Sequence, residues 1–130
     1  MAGARSRALV VGVGARSGVP EDELDRAIGL ALAAAARSSA QVAVLATVDR
    51  RAVEPGMRAV ARRRGWLLVA FGAAQLSSVD VPRPSGTVRD RAGTGSVAEA
   101  AALRAAGPGA TLLRGKTVFP RVTVAIARPG

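Results

Sequence analysis

The chain has 130 residues, 49% of them hydrophobic, and a net charge of +10 carried by eighteen arginines and a single lysine, Lys116. That length supports one domain spanning residues 1–130, able to bury roughly two-thirds of its unfolded surface without staples. With no cysteine and no histidine, disulfides, thiol nucleophiles, imidazole bases and the usual zinc ligands are excluded, and the nine carboxylates form no EF-hand-like series.

Met1 to Arg7 reads as a loose, polar N-terminal segment. The apolar run Ala8 to Ala15 follows Arg5 and Arg7 as a signal-peptide core would, but the alternate glycines Gly12 and Gly14 read better as a strand ending in a tight loop. Ala8 to Val13 is therefore expected as a buried strand and Gly14 to Val19 as a loop bearing Arg16 and Ser17. Pro20 opens a helix whose first turns carry Glu21, Asp22, Glu23 and Asp25, where the helix dipole favours carboxylates. Leu24, Ala27, Ile28, Ala31 and Leu32 give its apolar stripe as far as Arg37. Val42 to Thr47 is a second strand, followed by Thr47-Val48-Asp49-Arg50-Arg51 and a helix opened by Glu54 and Pro55 and closed by Gly65. Met57, Val60 and Ala61 mark that helix's apolar face.

Leu67 to Phe71 is a third strand, followed by a short helical turn at Ala73 to Ser77 and a proline-punctuated loop, Val81 to Thr87. A turn of helix is expected at Thr87 to Arg91. Gly93, Thr94 and Gly95 then precede Ser96, which with Glu99 makes an S-x-x-E capping box opening an alanine-rich helix. Gly107-Pro108-Gly109 stops it. Thr111 to Arg114 and Val122 to Arg128 finish the chain as strands, with Lys116 in their connection. The longest charge-free run, Gly65 to Val79, is interrupted by Gly72, Gln75 and serines, so no membrane span is expected and the chain reads as soluble and cytoplasmic.

Alternating strands and helices predict an α/β fold, a three-layer α/β/α sandwich on a mixed, largely parallel sheet of five strands with an antiparallel pair at its end. In such sheets the loops after the strand carboxyl ends share one edge, which brings Gly14 to Ser17 towards Thr47 to Arg51. The Ser96 helix start is a further candidate for that edge, its placement depending on the topology; its first N–H groups lack partners within the helix and sit at the positive end of the dipole, which makes it a natural anion site. Familiar phosphate motifs fail. Gly12-x-Gly14 has the wrong continuation for a dinucleotide fingerprint and no acid follows at the ribose position; Gly115-Lys116-Thr117 lacks P-loop spacing and a following helix. Serine hydrolysis fails for want of a G-x-S-x-G elbow and a histidine base. The sparse aromatics, Trp66, Phe71 and Phe119, disfavour base stacking, and the arginines do not cluster on one helix, so nucleic acid is an unfavoured partner.

Six segments in order carry a resemblance: V-G-V-G-A-R-S-G (Val11 to Gly18), L-A-T-V-D-R-R (Leu45 to Arg51), E-P-G (Glu54 to Gly56), V-P-R-P-S (Val81 to Ser85), G-T-G-S-V-A-E-A-A-A-L (Gly93 to Leu103) and V-T-V-A-I-A-R (Val122 to Arg128). Together they resemble the CobE family, equivalent to the C-terminal domain of CbiG, in cobalamin biosynthesis. The resemblance covers nearly the whole chain and implies an α/β/α fold and a part in building the corrin ring. It departs from the family at Ala15, where many relatives have cysteine, at Arg83 for asparagine and at Gly95 for proline.

The resemblance implies that the chain binds a precorrin or corrinoid intermediate, with other cobalamin-biosynthesis enzymes as candidate partners and no cofactor. The alternative it implies is a component of a cobalt-precorrin-5A lactone hydrolase, which releases acetaldehyde, acting with partner domains. Corrin precursors carry several acetate and propionate carboxylates, and a basic edge lined with backbone N–H groups suits them. The candidate site comprises Gly12, Gly14, Arg16 and Ser17 in the first segment, Asp49 and Arg51 in the second, Thr94, Gly95, Ser96 and Glu99 at the helix start, and Lys116. The cations would hold carboxylates, while Asp49 or Glu99 positions a water or orients Arg16. Each residue also has a purely structural reading: Ser96 and Glu99 as caps, Asp49 as a cap for the next helix, Lys116 as a solvated turn residue, the glycines as turn formers. Arg16 is the leading functional candidate, a glycine-flanked arginine after the first strand with little structural reason to be there.

Overall fold

The computed structural model describes residues 8–82, 89–91 and 97–130. In chain order the elements are β1 (Leu9–Ala15), α1 (Glu21–Ala34), β2 (Val42–Val48), α2 (Asp49–Ala52), α3 (Pro55–Arg64), β3 (Leu67–Phe71), α4 (Ala73–Ser77), β4 (Asp80–Pro82), β5 (Arg89–Arg91), α5 (Val97–Ala106), β6 (Thr111–Val118) and β7 (Val122–Arg128). Five strands form one sheet in the order β3-β2-β1-β7-β6, and β4 pairs with β5 in a separate ribbon. β1 pairs parallel with β2, and β2 with β3, whereas β7 runs antiparallel to both β1 and β6. Four strands thus share a direction and β7 alone opposes them.

Period-two alternation along β1 divides the core. Leu9, Val11 and Val13 face α1 and α3, joining Leu24, Ile28, Leu45, Met57, Val60, Val124 and Ile126 in a cluster of large side chains. Burial of each such side chain is worth about 1.5–3 kcal/mol, so this layer supplies much of the hydrophobic stabilisation. On the other face, beside Val10, Val48, Leu76 and Val81, small residues meet where α5 packs: Ala46, Ala125 and Ala127 of the sheet against Ala98, Ala101 and Ala102 of α5. Small residues on both sides let α5 lie very close, and Gly12 is where the approach is tightest. A Cβ there would stand 2.0 Å from the Ala98 carbonyl oxygen and 2.8 Å from the Ala102 nitrogen.

Gly12 faces Ala98 and Ala102 while Gly14 faces Val97 and Ala98, so α5 runs against β1. Its N-terminus therefore reaches the edge where β1, β2, β3 and β6 end. At that edge the buried Thr47 hydroxyl donates to the Val13 carbonyl at 2.7 Å, tying the ends of β1 and β2 together. α1 and α3 lie side by side in the same direction, because Gly56 meets the Val19–Glu21 backbone at their starts and Gly29 meets Arg64 farther along.

Three sequence expectations are corrected. Residues 89–91, expected as helical, form strand β5 paired with Asp80–Pro82, a register set by residues too distant in sequence to read locally. β6 extends to Val118, so Lys116 lies within a strand and not in a connection; irregular register between Arg114 and Thr117 absorbs the Gly115-Lys116 pair. α1 ends at Ala34 rather than near Arg37, because Ala36 adopts a left-handed conformation with φ 56° and the Arg37 N–H turns back to Leu32. No helix among the described residues is long and apolar enough to cross a membrane.

Candidate functional site

A cleft of about 330 Å³ opens at the carboxyl edge of the sheet, between the end of β1 (Gly14 to Arg16), the first residues of α5 (Val97, Ala98) and the β6–β7 hairpin (Val118 to Thr123). Its described lining carries the arginines Arg16 and Arg121 and no carboxylate. Arg121 pairs with Glu23 of α1, which raises its pKa and lowers that of Glu23 through their shared hydrogen bonds. Its backbone carbonyl accepts the Arg16 N–H at 3.1 Å. Arg16 itself is exposed, and among the described residues its side chain has no ion-pair partner.

Gly14 and Arg16 line the cleft with the start of α5. Glu99 and Lys116 also meet, but through the backbone: the buried Glu99 carboxylate accepts the Lys116 N–H at 2.9 Å, satisfying a strand donor beside the irregularity in β6. The Lys116 side chain is exposed near the same helix start. Gly12 is buried under α5, where it serves the close approach of helix and strand. Asp49 is exposed, its Oδ2 3.5 Å from where a Gly72 Cβ would stand, at the start of α4. Thr94, Gly95 and Ser96, together with Arg83, lie outside the described residues.

Ser17 and Arg51 belong to a second constellation, centred on Glu54. The Glu54 carboxylate accepts the Gly18 N–H at 3.1 Å, the Ser17 hydroxyl at 3.4 Å and Arg51 Nη1 at 2.5 Å. Arg51 Nε donates to the Ala15 carbonyl at 3.0 Å. Burial works to raise the Glu54 pKa, but the Gly18 N–H, Arg51 and Ser17 outweigh it and hold the carboxyl below its ordinary value. The expected meeting of the first and second loops thus occurs through Arg51. Sequence reasoning gave Glu54 only the opening of α3; its signal was the E-P-G segment, in which Gly56 also allows the Val19 carbonyl to approach within 2.4 Å of a Cβ position. Among the described residues, no group of three or more His, Cys, Asp or Glu side chains could hold a metal ion.

The fold and cleft define an α/β/α protein with a mixed sheet and a loop-built recess at its carboxyl edge. A family described as "Cobalamin synthesis G C-terminus" matches residues 9–127, and the chain belongs to that family. It is 31% identical over 123 residues to the cobalt-precorrin-5A hydrolase of Priestia megaterium, covering 95% of this chain but only 33% of that protein. The chain thus spans a third of the length of that hydrolase. It is 33% identical over 123 residues to Protein CobE of a Sinorhizobium species, covering 93% of this chain and 80% of the relative. Among solved structures, it is similar to CobE, a protein from the cobalamin biosynthetic pathway, with a TM-score of 0.76, 32% identity and coverage of 93% of this chain and 89% of the other.

Proposed function

We propose that this protein binds a polycarboxylate precorrin or corrinoid intermediate at the carboxyl edge of its sheet. The observation that carries this reading is the convergence of Gly14 to Arg16, the start of α5 and the β6–β7 hairpin on one cleft whose described lining has no acid. Arg16 presents a planar guanidinium suited to two-point contact with a carboxylate. The first-turn N–H groups of α5, which have no partners within the helix, add the positive end of a helix dipole, and Thr94, Gly95 and Ser96 precede that turn in sequence. Lys116 supplies a second cation on the flank, where Glu99 fixes its backbone. Asp49 stands apart, exposed beside Gly72 at the start of α4.

The protein's charge of +10 favours capture of an anionic ligand and makes the encounter salt-sensitive. The experiment is a visible-absorption titration with precorrin intermediates and a late corrinoid acid, with product analysis of the same samples. Saturable spectral change without turnover supports binding; absence of any change in all of them removes the reading.

A second reading, a component of a lactone hydrolase working with partner domains, is favoured by the similarity to a third of the Priestia megaterium hydrolase. With no histidine or cysteine in the chain, water activation would fall to a carboxylate, with the exposed Asp49 that follows β2 the candidate. Acetaldehyde release on adding partner domains distinguishes it, and loss of that release in Asp49→Asn assigns the base.

A further inference from the structure

We propose that the Arg51–Glu54 pair is a clamp that sets the conformation of the loop carrying Arg16, so that both act as positioning residues for a ligand they do not touch. The consequence for binding rests on the corrinoid-binding reading; the consequence for the loop does not.

The clamp grips Arg16 from both sides in sequence. Immediately before it, the Ala15 carbonyl accepts Arg51 Nε at 3.0 Å. Immediately after it, Ser17 Oγ and the Gly18 N–H donate to the two Glu54 oxygens at 3.4 and 3.1 Å. Arg51 and Glu54 then hold each other through Nη1 and Oε2. Across the loop, the Arg16 N–H is taken by the Arg121 carbonyl. Every backbone group bonded here is local to one exposed side chain, and that side chain is the one left pointing outward.

Arg51 is therefore spent on the protein. Two of its donor nitrogens are engaged inward and its side chain is only 17% exposed. Glu54 is equally constrained, at the N-cap of α3 with Pro55 following and Gly56 packed under the Val19–Glu21 backbone. Gly18, at φ 78°, supplies the left-handed residue that lets the chain turn between these anchors. A loop ordered before the ligand arrives loses less conformational freedom on binding, which appears as affinity. The geometry depends on the guanidinium fork, since a lysine ammonium cannot place separate donors on the Ala15 carbonyl and the Glu54 carboxylate with the same planar spacing.

The test compares Arg51→Lys, which keeps the charge, with Glu54→Ala and Glu54→Gln, against Asp25→Asn as control. Asp25 forms a similarly covered pair with Arg64 in a different part of the molecule. Amide hydrogen exchange at Arg16 and Gly18 is read in the ligand-free protein by NMR, and affinity for a corrin polycarboxylic acid by absorption titration. The clamp predicts exchange faster by roughly tenfold or more in Arg51→Lys and in each Glu54 variant, with affinity lower by roughly tenfold and Asp25→Asn changing neither. Should Glu54→Ala fail to fold, Arg51→Lys and Glu54→Gln carry the comparison. Unchanged exchange overturns the clamp, and faster exchange with unchanged affinity overturns its positioning role. Equal effects from Asp25→Asn reduce it to general stability and overturn it as well. If the wild-type protein binds no corrinoid, the binding reading falls, and exchange alone decides the clamp.

Discussion

The buried carboxylate of Glu99 accepts the backbone N–H of Lys116 at 2.9 Å, fastening the first turn of α5 to the edge strand β6. The bond answers a local need. Register slips between Arg114 and Thr117, and a strand donor at such an irregularity lacks a ladder partner. Removing the acceptor leaves that donor unsatisfied, which costs about 1–3 kcal/mol. Glu99→Ala is expected to lower stability by that amount in urea unfolding, while Glu99→Gln, which keeps an acceptor oxygen, loses less than about 1 kcal/mol.

Gly12 and Gly14 separate two kinds of glycine in one strand. A Cβ at residue 12 meets the α5 backbone at 2.0 Å, whereas at residue 14 it meets Val97 Cβ at an ordinary 3.5 Å. Gly12→Ala should destabilise by about 3 kcal/mol or more, because a helix backbone must move. Gly14→Ala should change stability by less than about 1 kcal/mol. Equal thermal midpoints for the two variants would contradict the close packing of α5 on β1.

Much of this architecture was legible. The stripe Leu24, Ala27, Ile28, Ala31, Leu32 is the buried face of α1, and Met57, Val60 and Ala61 that of α3, because helical periodicity is a local signal. Less legible was anything set by pairing at a distance. Residues 89–91 take their strand form from residues 80–82, and the order β3-β2-β1-β7-β6 places a late strand beside the first. The same limit hid Glu54: its sequence position announces a helix start, while its partners Ser17 and Gly18 lie 37 and 36 residues away. Arg51 was readable as a cation but not as a committed one, since only the fold brings it to the Ala15 carbonyl.

Ala36 marks a place where the chain is not optimised. It is exposed and sits at φ 56° just past the end of α1, a position glycine takes without strain. The left-handed conformation costs an alanine roughly 1–2 kcal/mol, and glycine returns roughly 0.5–1 kcal/mol of that through its freer unfolded chain. Ala36→Gly should therefore raise stability by about 0.5–1 kcal/mol, read as a higher urea midpoint at unchanged slope.

Acid should loosen the protein through Glu54. Its folded pKa lies below its unfolded value, so its contribution is complete above the ordinary carboxylate value of 4.5 and disappears as the pH falls through the lowered one. Thermal midpoints measured from pH 6 downwards should drop across that window in the wild type and drop less in Glu54→Gln. A parallel decline in both proteins would assign acid sensitivity to other groups, such as Glu23 against Arg121.

The central claim is that Arg16, held at the cleft between β1, α5 and the β6–β7 hairpin, receives a carboxylate of a corrin-ring intermediate. The most direct measurement is the affinity of wild-type and Arg16→Ala proteins for a corrin polycarboxylic acid, by absorption titration at low and high salt. Loss of one carboxylate contact predicts affinity lower by roughly tenfold or more in Arg16→Ala, with a shallower dependence on salt than the wild type shows. Equal affinity and equal salt dependence in the two proteins would contradict the claim and place any corrinoid elsewhere on the molecule.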